Sequence, residues 1–265
     1  MADAPRRCIF CGGSPVTREH ILRSAWRETL HLPRLGEWRQ FAQHRQGKNS
    51  VRDDAGALQT VVKCVCARCN NTWMNDLDSA VEPWLLDQND TSVEPAAFRR
   101  WAIKVAILRS TLDETALVTG PDCAALYEGN DLPEWHVFVG KAQSPEHRHN
   151  YCATALGFGS GLTAGVVQVS LTLGLPIIVA IRVAAEPGEL LLRMFMDSNM
   201  RLSYPLSEVK YGSTELPSVL LNPYIPNEYL LAWFWYFSDN KHSPVRRHIQ
   251  ATREAWSRAL KKLAQ

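Results

Sequence analysis

Four of the seven cysteines in this 265-residue chain stand in two pairs of identical spacing, Cys8-Ile-Phe-Cys11 and Cys66-Ala-Arg-Cys69. Two thiolates three residues apart can turn both sulfurs toward one ion, and Gly12-Gly13 after the first pair suits a tight knuckle of that kind. Zn²⁺ takes four tetrahedral ligands, and the two pairs together supply four. A structural zinc held by Cys8, Cys11, Cys66 and Cys69 is therefore the expected chemistry. The alternatives are buried free thiols or a redox pair, but no thioredoxin-like pattern surrounds either CxxC. Cys64 is a spare neighbour that could replace Cys66 at poorer spacing. Cys123 and Cys152 have no partner pattern and read as core residues.

Between the pairs lies Thr17-Arg18-Glu19-His20-Ile21-Leu22, where a carboxylate directly precedes a histidine. The segment suits a short strand. Strand side chains alternate between faces, so Glu19 and His20 need a bulge or bend to converge on one site. Arg18, Arg23, Arg27 and Arg68 flank this segment or the second pair. They could hold phosphates or simply form a solvated basic surface. Trp26 and Trp73 could stack on bases, but packing in a small core is the favoured role.

The elements that must position these residues follow from pattern. Trp73, Leu77, Val81 and Trp84 or Leu85 recur at helical spacing, which predicts a helix over Asn70–Leu86. Pro95 near a helix start, with Phe98, Trp101, Val105 and Leu108 on one face, predicts a second helix over about Pro95–Leu112. Arg99, Arg100, Lys104 and Arg109 lie on or beside it, and the first three read as an exposed basic face or a phosphate track. The polar run Gly36–Gly56 reads as a long loop or hairpin excursion. Residues 135–200 switch to strand grammar, with strands expected at Trp135–Val139, Tyr151–Phe158, Gly165–Leu173, Ile177–Ala184 and Leu190–Met196. His147-Arg148-His149 is placed in a surface loop. The chain closes with an aromatic stretch, Tyr229–Phe237, and a basic amphipathic helix from about Ser243 to Leu263.

Bulk composition narrows the class. Hydrophobic residues make up 46% and charged residues 21%, and 9 Trp are available for a core, as in folded globular chains. The net charge of +2 excludes a general polycation. The first seventy residues are nonetheless locally basic, with twelve Lys and Arg against six Asp and Glu, so a basic face remains open. No secretory leader or membrane span is recognised. With cysteines in metal-type pairs, this gives a cytoplasmic location and no membrane partner as expectations.

Taken together, Cys8-x-x-Cys11, Glu19-His20-Ile21 and Cys66-x-x-Cys69-Asn70 resemble the cysteine-bearing HNH endonucleases. The run Asn70-Asn71-Thr72-Trp73-Met74 with Leu77-Asp78, and the later Trp101-Ala102-Ile103-Lys104, look like a bacterial and phage subgroup of that family. The resemblance covers roughly residues 8–110. It implies a ββα-metal unit with a separate zinc stapling its ends. It implies that His20 is a general base activating water. Glu19 and Asn70 would hold a catalytic Mg²⁺ or Mn²⁺, with Asn71, Asn75 or Asp78 as substitutes for Asn70. This chain has Glu where Asp is commoner, no His between Asn70 and Leu86, and Val62-Lys63 where a middle Asn is usual.

The resulting expectation is an α+β protein. Residues 1–90 form a zinc-stapled HNH-like module, and residues 91–265 form an antiparallel-sheet and helix domain for specificity, sensing or partner contacts. The activity implied is metal-assisted hydrolysis of DNA, possibly RNA, with Arg18, Arg23 and Arg68 on the nucleic acid. A defence role follows only by analogy. The rivals are a non-catalytic zinc-dependent nucleic-acid binder and a protein-interaction module. Oligomeric state is not legible in the sequence.

Overall fold

The two cysteine pairs flank two neighbouring strands, the first in a turn before one of them and the second at the end of the other. β1 (Val16–His20) pairs antiparallel with β4 (Val61–Cys66), Val16 facing Cys66 and His20 facing Val61. The register slips between Thr17 and Glu19. Thr17 faces Val65 but Glu19 faces Val62, so β4 carries an extra residue there. The bulge lies before Glu19 on the partner strand, and Glu19 and His20 pair regularly with Val62 and Val61, so it does not turn the two side chains to one face. α1 (Trp26–Thr29) follows β1, and the hairpin β2 (Gln40–Gln43) with β3 (Asn49–Arg52) occupies part of the polar run Gly36–Gly56. These features come from a computed structural model describing residues 6–29, 40–43, 49–52, 60–87, 92–112, 118–157, 163–184, 206–217 and 224–225.

After Cys66 the chain turns helical at once, but not as one regular helix. α2 (Ala67–Cys69) leads into a wide π-type turn over Asn70–Met74, which is broken by a non-helical Thr72. α3 (Asn75–Leu86) then runs regularly. The expected helix over Asn70–Leu86 is thus confined to Asn75–Leu86, with Leu77, Val81, Trp84 and Leu85 buried. The Thr72 hydroxyl donates to the carbonyl of Arg68 at 2.8 Å, giving this side chain a local backbone partner where the helix breaks.

α4 (Pro95–Ser110) begins with Pro at its first turn, as expected, and ends two residues before Leu112. It is not amphipathic in its setting. Thirteen of its 16 residues are buried, including Arg99, Lys104 and Arg109. The expected exposed basic face is therefore wrong. A helix covered on all sides is a core element, and its cations must find partners. Arg99 Nη2 donates to the carbonyl of Leu132 at 2.7 Å, and Arg100 Nη2 to that of Leu126 at 3.0 Å.

α5 (Gly120–Glu128) was not foreseen. Thr119 and Asp122 form a reciprocal capping box at its start, and Gly129 ends it with φ +81, a left-handed conformation that suits glycine. β5 (Trp135–Gly157) and β6 (Thr163–Ala184) form one long antiparallel hairpin. β7 (Ser207–Glu208) joins β5 antiparallel, and β8 (Tyr224–Ile225) joins it parallel.

Four expected strands are thus two. Ser144-Pro145 falls in a shift between Lys141, opposite Pro176, and Glu146, opposite Gly174. The extra β5 residues bulge out there and pairing resumes beyond. The backbone of His147–His149, expected in a loop, is in β5 opposite Leu173–Leu171. The strand expected at Leu190–Met196, the stretch Tyr229–Phe237 and the helix Ser243–Leu263 lie outside the described residues.

One hydrophobic cluster runs from Cys8 and Phe10 through α3 and α4 to β5 and β6. Trp26, Trp84, Trp101, Trp135 and Phe98 are among its largest fully buried side chains. At one end of it, Asp122 accepts from Arg182 Nε at 2.8 Å, Trp135 Nε1 at 3.1 Å and the Thr119 backbone N–H at 2.7 Å. Burial works against its charge, yet Arg182 and Thr119 hold its carboxyl below the ordinary range. Asp122→Ala, by leaving Arg182 only its 2.7 Å bond to Glu134 and stranding an indole N–H, should cost about 3 kcal/mol in denaturant unfolding. Because the folded-state pKa is depressed, this support is present at neutral pH and fades as pH falls below the ordinary 3.8. Acid titration of wild type against the variant, followed by unfolding at each pH, measures both effects.

Candidate metal centre and the carboxylate cluster beside it

The first cysteine pair is folded by its own backbone. The Cys8 N–H donates to Gly13 O at 2.8 Å, and the Gly12 N–H returns to Cys8 O at 2.9 Å. Gly12 has φ +70, a conformation glycine adopts without steric cost. The Gly13 N–H points at Cys11 Sγ, 3.4 Å away. A Cβ on Gly13 would lie 3.2 Å from that sulfur and 3.8 Å from Cys66 Sγ. The knuckle is tied to β4 by the Ile9 N–H, which donates to Cys64 O at 2.9 Å. Cys66 ends β4 and Cys69 lies in α2, so the second pair spans a strand-to-helix junction.

These elements bring the Sγ atoms of Cys8, Cys11, Cys66 and Cys69 within 4.8 Å of one another, a group that can hold a metal ion such as zinc. Cys11 and Cys66 are 3.5 Å apart. Tetrahedral zinc with bonds of about 2.3 Å needs sulfurs about 3.8 Å apart, so the residues fit the ion. Without a cation the four thiols compete. Burial works against a Cys66 thiolate, but the Cys69 backbone and the three neighbouring thiols outweigh it and bring Cys66 down to about 7. Burial pushes Cys69 up. Cys64 stays outside the group, its sulfur 3.7 Å from the Thr111 hydroxyl and its pKa pushed by burial up to about 11. Cys123 is buried as expected, and burial pushes its pKa up to about 12. The side chain of Cys152 lies outside the described residues.

Trp73 walls the centre. Its ring packs edge-on against Phe10 at 5.1 Å and Tyr127 at 6.2 Å. Trp26 is fully buried and packs on Trp101 at 5.9 Å. Both therefore take the packing role favoured from the sequence.

Beside the cysteines lies a polar cluster drawn from four elements. Glu19 on β1 is half-buried, and the side chain of Asn70, which directly follows Cys69, is near enough to favour its charged form. Asp78 on α3 and Lys104 on α4 are close enough to act on its charge. Asp78 Oδ1 accepts from Trp101 Nε1 at 2.9 Å and from the Lys104 ammonium. Burial pushes the Glu19 carboxyl from 4.5 up to about 7. Lys104 and the Asn70 side chain oppose that rise, and Asp78 adds to it.

The foreseen residues divide accordingly. Glu19, Asn70 and Asp78 come together. Asn71 is exposed, and among the described residues neither it nor Asn75 bonds Glu19. His20 ends β1, half-exposed, and no hydrogen bond joins it to Glu19 or Asn70 among the described residues. Arg18 and Arg68 are exposed without an ion pair among the described residues. Arg23 is held by Glu82 at 3.0 Å and Ser79 at 3.4 Å. The side chain of Arg27 is outside the described residues. Lys104 belongs to this cluster, not to a phosphate track. Its spacing of three from Trp101 on one helix was the available signal.

Comparison with protein families, with characterised proteins and with solved structures gives no match to this chain. Among the described residues no helix is long and apolar enough to cross a membrane.

The raised Glu19 has a measurable consequence. Its folded-state pKa lies above the ordinary 4.5, so the fold favours the protonated carboxyl. That contribution is full below about pH 4.5 and is lost as pH rises through about 7. Glu19→Gln, which copies the protonated form, should melt above wild type at pH 8 and close to it at pH 5, in buffers free of Mg²⁺ and Mn²⁺.

Proposed function

We propose that this chain is a zinc-stapled HNH-type endonuclease that hydrolyses phosphodiester bonds in DNA. The observation that carries the reading is the Glu19 carboxylate with the Asn70 side chain near enough to favour its charge, Asn70 directly following Cys69 of the four-thiolate group. A carboxylate oxygen and an amide oxygen are donors that hard cations accept. In this reading Cys8, Cys11, Cys66 and Cys69 hold a structural Zn²⁺. Glu19 and Asn70 would hold Mg²⁺ or Mn²⁺, which supplies charge stabilisation for the scissile phosphate and the leaving oxygen. His20, as a neutral imidazole, takes the proton of the attacking water. Arg18 and Arg68, exposed and uncommitted among the described residues, bind phosphates along the strand. Arg23 contributes less, because Glu82 already occupies its guanidinium.

A second reading draws on a different observation. His20 has no bond to Glu19 or Asn70 among the described residues, so the same zinc module could serve as a non-catalytic nucleic-acid-binding or protein-interaction unit. Salt-sensitive DNA binding without cleavage marks the first of these and absence of DNA binding the second.

Two measurements test the proposal. Metal analysis of the purified chain should give one zinc per molecule, and Cys66→Ser should lose the zinc and lower the melting temperature. A plasmid-nicking assay with Mg²⁺ and with Mn²⁺ should show cleavage that falls at least about 100-fold in His20→Ala, with zinc content and fold unchanged. Equal cleavage by both proteins would remove His20 from the site. No cleavage by zinc-loaded wild type would leave the binding readings.

A further inference from the structure

Lys104 is 1% exposed, and a buried ammonium persists only where it is paired. Its partner is Asp78, whose Oδ1 also receives the Trp101 indole N–H at 2.9 Å. Trp101 and Lys104 are one turn apart on α4, so a single helix face clamps one carboxylate of α3. The charges of Lys104 and Asp78 both reach Glu19. One buried ammonium therefore pairs with Asp78 and bears on the charge of the half-buried Glu19 as well.

We infer that Lys104 is a built-in competitor of the divalent cation: a tethered positive charge that occupies Asp78, leaves Glu19 and Asn70 as the donors on offer, and keeps cation affinity low. The inference rests on the nuclease reading for the use of the Glu19–Asn70 pair. Its physics is local. A positive charge beside a second positive charge, in surroundings of low polarity, opposes it far more than in water. Without Lys104, two carboxylates and an amide oxygen would remain, the donor set that hard divalent cations favour. Lys104 is thus a positioning residue that acts through Asp78, and Trp101 holds Asp78 in the orientation that receives it.

The test is Mn²⁺ binding to the zinc-loaded full chain, read by electron paramagnetic resonance of the free ion. Thiolates favour zinc over Mn²⁺, so the probe reports an oxygen site. Lys104→Met should bind Mn²⁺ about tenfold or more tightly than wild type. Lys104→Met with Asp78→Asn should return to the wild-type level. Lys104→Gln keeps a donor for Asp78 without the charge. It should tighten binding in the same direction, and it serves where the Met variant fails to fold. Unchanged or weaker Mn²⁺ binding in the folded variants overturns the inference, as does absence of binding in every chain. Tightening without plasmid nicking by any chain would uphold the competition and sink the nuclease reading. Nicking by wild type with affinity unmoved in the variants would do the reverse.

Discussion

The convergence of four sulfurs from two ends of a fifty-residue excursion fixes the geometry of everything around it. The segment between Cys11 and Cys66 contains β1, α1, the β2–β3 hairpin and β4. Closing so long a segment costs entropy, but only about 0.6 kcal/mol more for each doubling of its length. A polar insertion such as Gly36–Gly56 can therefore sit inside it at little expense. What closure does require is a favourable state for buried thiols at contact distance. Protons resolve this poorly, since Cys66 is brought toward ionisation while Cys11 and Cys69 resist it. One divalent ion bonded to all four removes the conflict, which is why the fit to zinc matters to the fold as well as to the site.

A second constraint operates in the core. α4 carries Arg99, Lys104 and Arg109 into a place where an unpaired charge is costly. Their contacts tie α4 to specific neighbours: Lys104 to α3 through Asp78, and Arg99 to the segment before β5 through Leu132 and Asp131. Arg182 on β6 does the same for α5 through Asp122. Apolar packing is tolerant of small rotations and slides, whereas a charged hydrogen bond is not. These clamps select one arrangement of helices against the sheet.

What could be read from the sequence divides along the same line. CxxC spacing, the Pro95 start and the apolar rhythm of Leu77, Val81 and Trp84 are local signals, and the four-thiolate group and helices α3 and α4 follow from them. Side-chain alternation asked for a bulge between Glu19 and His20, but the bulge present lies on β4 before Glu19 and leaves the two in regular register. The fate of Lys104 was not readable, because burial of a lysine depends on an aspartate twenty-six residues away. The single long β5 was hidden by Pro145, a residue that ordinarily interrupts a strand but here falls in a bulge. α5 is short and weakly patterned, and its Thr119–Asp122 box was the one sign of it.

The placement of Glu19 and Asn70 shows how the two constraints meet. Asn70 follows Cys69 directly, and Glu19 faces Val62 on the strand that ends in Cys66. The metal centre therefore sets where both residues stand. The chain then leaves the regular helix at Asn70, with a wide turn to Met74 in which the Asn75 N–H returns to the Asn70 carbonyl. Such turns are frequent at functional sites, because they aim a side chain that a regular helix would carry elsewhere. Past the turn, α3 resumes and delivers Asp78 to Trp101 and Lys104. A carboxylate and an amide are thus held by the cysteine centre on one side, and their electrostatic surroundings are set by a buried lysine on the other.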